Sequence, residues 1–162
     1  HNVNIVGGEL TSEYFLMGSS DISIKNFTFT GKYSFQYVKN AEIHDSFLNT
    51  KDAFWHTENV TVYDSVINGE YAAWYSKNLR LVRCKISGTQ PFCYAENLVL
   101  EDCEMTGCDL AFEYTTVNAD VNSVIDSVKN PISGRISALG FGEIILDENL
   151  KDGSDCELVT KK

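Results

Sequence analysis

Apolar and polar residues alternate along this chain in blocks that repeat every 19 residues. Residues 40–58, 59–77 and 78–96 each open with Asn, alternate apolar and polar side chains, pass a polar or glycine turn and close on an aromatic-rich run. We number the positions of each block 1 to 19 from that opening residue. Because a repeat of this length is too short for a pair of helices, it indicates one coil of a β-solenoid.

The inward side of each coil is predicted by the positions that stay apolar. Positions 2, 4 and 9 are apolar in nearly every block, and alternate side chains of a strand point to the same side. Each coil is therefore predicted to contain two short strands, a turn and a third, aromatic strand whose position 16 faces inward and position 17 outward. Continuing the 19-residue step places Val124 at position 9 and Ile136 at position 2.

The whole pattern predicts an all-β protein, a parallel β-helix of about eight 19-residue coils over residues 1–150. Glycine recurs at position 11, where a tight corner needs a positive φ. Asn or Asp fills most first positions, where an amide can bond its counterpart one coil away. A terminal cap and a polar tail, residues 151–162, are expected to follow. No cap precedes the first block, so further coils are expected upstream of residue 1.

The charge balance limits the kinds of partner. The 162 residues include 13 Lys and Arg against 23 Asp and Glu, which gives a formal net charge of −10. A nucleic-acid backbone and an anionic membrane surface both require a basic footprint, so neither partner is expected.

The five cysteines lack the short paired spacing of a zinc site. Cys84 and Cys103 share position 7 of successive coils, and Cys93, Cys108 and Cys156 do not. We interpret them as small core residues of a reducing compartment, which indicates the cytoplasm. No metal and no cofactor are predicted.

Two aspartates in adjacent coils are the first candidates for chemistry. Asp45 and Asp64 share position 6, so they are expected about 4.8 Å apart, which nearly suits a carboxyl pair acting on a glycosidic bond. A calcium ion between them would have too few oxygen ligands. Arg83 and Asp102 continue the column, and a structural charge ladder is therefore the preferred interpretation.

The second candidate is His56, with Asp52 four residues earlier in the same coil. A histidine oriented by a carboxylate could act as a general base. The alternative is a surface histidine stacked between Tyr37 and Tyr75, which occupy the same position one coil to either side.

An aromatic column at position 17, with tryptophans beside it at position 16, is the candidate binding surface. Aromatic rings with a polar tip stack on sugar rings, so an oligosaccharide is the predicted ligand. The alternative is a ladder of stacked rings that only stabilises neighbouring coils. The proposed binding residues are Tyr37, His56, Tyr75, Tyr94, Trp55 and Trp74.

Position 19 holds charges of alternating sign in four successive coils. These residues are Lys39, Glu58, Lys77 and Glu96. Stacked about 4.8 Å apart they have no like neighbours, which marks the column as facing solvent.

Several segments of the chain carry a more specific resemblance. They are KYSFQYVKN, KDAFWHTENV, AAWYSKNL, GTQPFCYAENL, DLAFEY and SVKNPISG. They resemble a family of bacterial β-helix proteins known as domain-of-unknown-function family 3737. The resemblance implies a single-stranded right-handed parallel β-helix like that of pectate lyases, with additional coils before residue 1. It carries no activity, so no catalytic residue is transferred from it.

Three functions are consistent with these features. The preferred one is a surface that contacts carbohydrate along the aromatic column. The second is a scaffold without a ligand that self-associates through the open end of the solenoid. The third, a polysaccharide lyase or hydrolase, rests on fold analogy alone, and an anionic sugar would meet an acidic protein.

Overall fold

The structure of the chain is a computed structural model that describes residues 1–147 and 154–162. These residues form sixteen β-strands and no helix. The described residues therefore contain no helix that could cross a membrane. The first sheet contains β1 (Val3–Val6), β3 (Ser20–Lys25), β5 (Lys39–His44), β7 (Glu58–Tyr63), β9 (Lys77–Val82), β11 (Leu98–Thr106), β12 (Thr116–Val121), β14 (Ser133–Ala138) and β16 (Asp155–Thr160). The second sheet contains β2 (Glu9–Glu13), β4 (Thr28–Lys32), β6 (Phe47–Lys51), β8 (Val66–Asn68) and β10 (Lys85–Ser87). Strand β11 belongs to both sheets, and β13 (Val124–Lys129) pairs with β15 (Gly140–Ile145).

All strand pairs are parallel, and through the first six coils their partners lie 19 residues apart. Val60 of β7 pairs with Ala41 on one side and with Leu79 on the other. The chain is therefore a parallel β-helix of about eight coils, as predicted. The amide ladder at position 1 is also confirmed, because Asn59 Nδ2 donates to Asn40 Oδ1 at 3.3 Å and Asn78 Nδ2 donates to Asn59 Oδ1 at 3.0 Å.

The aromatic run is not a strand, and that prediction was wrong. Residues 33–38 are a series of turns in which Tyr33, Phe35 and Tyr37 have φ values of 59°, 61° and 60°. Left-handed residues recur at positions 13, 15 and 17 of the next three coils, and in the sixth coil they lie one residue later, at Leu110, Phe112 and Tyr114. Each such residue costs roughly 1–2 kcal/mol. Bonds between coils offset this cost, since Tyr37 N donates to Trp55 O at 2.8 Å and Phe35 N to Phe15 O at 2.8 Å.

This alternation of left-handed residues changes which side chains are inside. Phe35 at position 15 is 1% exposed, whereas Tyr37 at position 17 is 52% exposed. In a strand the two would share a face. The outward direction of position 17 is confirmed, and the hydrophobic core gains a column that the strand interpretation missed. It contains Phe35, Phe54, Ala73 and Phe92 at position 15, and Phe112 one residue later in the sixth coil.

The 19-residue step fails near the end of the solenoid. Val117 pairs with Gly134, only 17 residues on, so Ile136 lies at position 4 and not at position 2. An earlier one-residue shift leaves Val124 52% exposed and Ile125 fully buried. Because side chains alternate along a strand, a slip of one residue moves every side chain to the other face.

The predicted polar tail contains a strand. In β16, Cys156 and Leu158 pack against the core and pair with Gly134 and Ile136 of β14. Alternate apolar residues thus extend the first sheet by one more strand, which corrects the prediction for these residues. The predicted end of the solenoid at residue 150 lies outside the described residues.

All five cysteines are free thiols. The prediction that they are core residues is confirmed for four buried ones, Cys84, Cys93, Cys103 and Cys108, whereas Cys156 is only partly buried. Burial raises the pKa of the Cys93 and Cys108 thiols to about 12 each. These two thiols therefore stay protonated at neutral pH and act as small apolar side chains.

Candidate functional site

The aromatic column at position 17 forms as predicted, but its rings stack on one another. The ring centroids of Tyr37 and His56 lie 4.8 Å apart, those of His56 and Tyr75 4.9 Å, and those of Tyr75 and Tyr94 5.0 Å. The angles between these ring planes are between 4° and 8°. Because each inner ring is covered on both faces, only ring edges and polar atoms face solvent along most of the column.

The residues at position 16 support the column from behind. Trp55 Nε1 donates to the backbone oxygen of Tyr71 at 2.5 Å, and Trp74 Nε1 donates to Gln90 O at 2.8 Å. The two indoles stack with centroids 5.1 Å apart, and both side chains are half-buried. The indole N–H of each tryptophan therefore binds the backbone of the next coil and fixes the position of the ring.

Gln36 occupies the same position one coil earlier and makes the same kind of bond. Its Nε2 donates to the backbone oxygen of Asp52 at 2.9 Å. A glutamine among tryptophans looks out of place in the sequence. It is explained by this repeated requirement for a side-chain N–H donor.

A groove runs between the aromatic column and the charges of position 19. It has a volume of about 280 Å³ and is lined by Tyr37, His56, Tyr75, Lys39, Glu58 and Lys77, with Thr57 at its floor. Lys39 Nζ lies 3.8 Å from Glu58 Oε2. The volume is slightly below the range of about 300–1,000 Å³ typical of small-ligand sites. The groove therefore places ring edges opposite ionic side chains.

His56 and Asp52 are not brought together. The His56 ring is exposed within the column, whereas Asp52 is 7% exposed, and no hydrogen bond or ion pair links the two among the described residues. Burial raises the pKa of Asp52, and its Oδ1 has no hydrogen-bond partner in the described part of the chain. Asp52 therefore does not orient the imidazole of His56.

Asp64, the second candidate aspartate, is held by an ion pair with the next coil. Arg83 binds Asp64 with two hydrogen bonds: Nε donates to Oδ1 at 2.6 Å, and Nη2 donates to Oδ2 at 3.0 Å. The hydrogen bond from this guanidinium lowers the pKa of Asp64. Asp45 in the preceding coil makes no salt bridge within the described residues. The same residues contain no group of three or more His, Cys, Asp or Glu side chains that could hold a metal ion. The charge-ladder interpretation is confirmed for Asp64 and Arg83.

Replacing Arg83 by Gln is expected to raise the pKa of Asp64 towards its ordinary value of 3.8. A carboxyl with a depressed folded pKa stabilises the fold above its unfolded pKa, and this stability is lost as the pH falls through the folded pKa. The wild type should therefore lose slightly more stability than R83Q as the pH falls below 3.8.

Carboxyl NMR titration measures the pKa of Asp64 directly. Arg80→Gln, which removes a partner of Glu101, is the matched control; identical Asp64 titration in R83Q and the wild type would refute the assignment.

The structure reveals one histidine–carboxylate contact that the sequence analysis missed. His44 Nε2 lies 2.5 Å from Glu42 Oε1, and the ring of Tyr63 stacks on His44 with centroids 4.6 Å apart. Glu42 and His44 are two residues apart on β5, so both project from its outer face. Strand alternation alone could have found this pair. A second groove of about 500 Å³ adjoins it and is lined by Asp21, Ser23, Asn40, Glu42, Asn59 and Thr61.

Comparison with known proteins identifies a family but no function. The model of the family described as "Protein of unknown function (DUF3737)" matches residues 1–159, almost the whole chain. No curated protein matches the chain. The stacked aromatic run, the amide ladder and the parallel coils all lie within the matched residues, and the chain belongs to the DUF3737 family.

Proposed function

We propose that this protein contacts carbohydrate and holds a short oligosaccharide in the groove beside the aromatic column. The observation that carries the proposal is the composition of this groove: the edges of Tyr37, His56 and Tyr75 on one side, and Lys39, Glu58 and Lys77 on the other. Sugars present closely spaced hydroxyl groups that both donate and accept hydrogen bonds. Phenol, imidazole, ammonium and carboxylate groups offer both roles along one line.

The contacts in this proposal are made by ring edges and polar atoms. The inner rings cover one another's faces, so a sugar lying along the groove meets hydroxyl groups and ring edges. Charges of alternating sign in the groove and a net charge of −10 favour neutral sugars over polyanions. We therefore expect a neutral oligosaccharide of a few units, bound weakly.

Tyr75→Phe tests this proposal with little disturbance of the fold. The variant removes one hydroxyl group and keeps the stacked ring. Loss of one hydrogen bond worth about 0.5–1.5 kcal/mol is expected to weaken binding by roughly twofold to tenfold. A glycan array first identifies a ligand, and titration calorimetry then compares the variant with the wild type.

Tyr33→Phe is the matched control, since Tyr33 also stacks on a neighbouring ring, Tyr14, with centroids 5.0 Å apart, but lies outside the groove. Unchanged affinity in this variant together with weaker binding by Tyr75→Phe supports the proposal. An array without any neutral glycan signal would refute it, as would equal affinities in all three proteins.

A second candidate function, hydrolysis or elimination at a polysaccharide chain, is favoured by the contact between Glu42 and His44. The carboxylate holds one ring nitrogen, which leaves the other free to take a proton from a substrate in the adjoining groove. His44→Ala is expected to lower the release of sugar ends from polysaccharide at least a hundredfold. Lys85→Ala, on the second sheet, is the control. Activity absent from the wild type, or unchanged in His44→Ala, would eliminate this candidate.

A further inference from the structure

Tyr37, the first ring of the aromatic column, stacks on an aromatic ring on one face only. One face of this ring stacks on His56 with an interplanar angle of 7°. On the other side, one coil earlier, position 17 is Gly18, which has no ring. The exposed fraction of the tyrosines falls along the column from 52% at Tyr37 to 43% at Tyr75 and 37% at Tyr94, as expected if the first ring is covered least.

Gly18 keeps the backbone geometry of this position while leaving its space empty. Its φ is +72°, close to the 60° of Tyr37, and its N–H donates to Gln36 O at 2.9 Å, just as Tyr37 N donates to Trp55 O at 2.8 Å. A Cβ built on Gly18 would meet nothing within 4 Å. The missing ring therefore leaves a space beside a flat aromatic face, with the groove beginning on the far side of the same ring.

We propose that this space binds one pyranose unit, stacked on Tyr37 as the ring that the column lacks. The inference rests on the proposed function, because it assigns the unit at one end of the bound oligosaccharide. Aromatic rings take partners on their faces in parallel, offset arrangements, and the column repeats this arrangement at intervals of about 5 Å.

The geometry of the site selects a class of sugar. A ring that stacks flat on Tyr37 must present a face of C–H groups, because an axial hydroxyl group would hold it away from the aromatic face. Glucose-type pyranoses with equatorial substituents have two such faces. The site is therefore assigned to the terminal unit of a β-linked glucose-type oligosaccharide, whose next units reach the groove past the edge of Tyr37 towards Lys39.

Gly18→Leu is the variant that tests the site. Leucine already adopts a positive φ in this solenoid, at the nearby Leu16, with φ 56°, and in the sixth coil at Leu110, with φ 51°, so the backbone accepts it. Its branched side chain would cover the open face of Tyr37 without offering a new flat surface. Gly18→Asn is the matched control, because asparagine tolerates a positive φ and is too short and polar to seal the ring.

Cellotriose is the probe, followed by ligand-observed NMR and titration calorimetry on the wild type and both variants. We expect upfield ring-current shifts of the C–H protons of one terminal unit in the wild type. Gly18→Leu should abolish these shifts and weaken binding by roughly twofold to tenfold, the range expected for one aromatic contact, while Gly18→Asn keeps the shifts and binds as the wild type does.

The outcomes separate this inference from the proposed function. If cellotriose binding depends on the Tyr75 hydroxyl group but is unaffected by Gly18→Leu, the groove stands and the stacking site on Tyr37 is refuted. Absence of cellotriose binding by the wild type also refutes the stacking site, whereas the glycan array decides the groove independently. Upfield shifts that vanish only in Gly18→Leu support the site.

Discussion

Replacing Gly69 by Ala is expected to destabilise the fold by roughly 2–6 kcal/mol, the sum of a strained backbone conformation and overpacking. A Cβ at this residue would lie 1.9 Å from the backbone oxygen of Thr50 and 2.5 Å from its carbonyl carbon. Both atoms belong to the preceding coil, so relief requires two coils to move apart. The φ of +152° adds strain for any residue with a side chain.

Urea unfolding of Gly69→Ala, compared with Gly107→Ala, measures this effect. At Gly107 the φ is +64° and a Cβ would meet nothing within 4 Å, so only the left-handed backbone costs free energy, about 1–2 kcal/mol. Equal losses in the two variants would contradict the close approach of the two coils at Gly69.

Replacing Phe54 by Ala is expected to lower the free energy of unfolding by about 3–5 kcal/mol. The side chain is 2% exposed, and its ring stacks on Phe35 with centroids 4.9 Å apart. In the next coil the same position is Ala73, so no ring on that side can fill the space. The cavity would extend over two adjacent coils.

Phe47→Ala is the matched control for this core position. Phe47 lies on the outer face of β6 and is 42% exposed, so its loss should cost less than about 1 kcal/mol. Thermal and urea unfolding of both variants provide the comparison. A loss at Phe54 no larger than that at Phe47 would mean that position 15 is not inside the solenoid.

The 19-residue period was sufficient to predict the parallel coils. Residues one period apart lie side by side in adjacent coils, so each position must suit the same environment in every coil. A column of Val60, Leu79 and Leu98 is apolar only if all three side chains point inward. The conformation of the aromatic run was not predictable from alternation. Backbone angles there alternate between left-handed and ordinary values, which sends position 15 inward and position 17 outward.

A weaker signal of that conformation is present in the sequence. The left-handed positions 13, 15 and 17 of the first five coils contain no Val, Ile or Thr, the residues for which a positive φ is most costly. The end of the solenoid was harder to predict. Coils shortened by one or two residues move Val124 outward and Ile136 to another position without changing the local alternation that a sequence displays.

The candidate site was predictable in its position but not in its detail. Spacing placed Tyr37, His56 and Tyr75 in one column, and the structure shows that column beside a groove. Proximity in sequence was misleading for His56 and Asp52, because in this run of alternating left-handed residues the Asp52 side chain is buried and the His56 ring is exposed. Two-residue spacing on a true strand, as in Glu42 and His44, was the more reliable signal.

A crystal of the protein soaked with a mixture of neutral oligosaccharides tests the proposed function most directly. The groove should show density for a short sugar chain between the edges of Tyr37 and Tyr75 and the side chains of Lys39 and Lys77. Density found only on the outer face of the first sheet beside Glu42, or an empty groove after a saturating soak, would contradict the proposal.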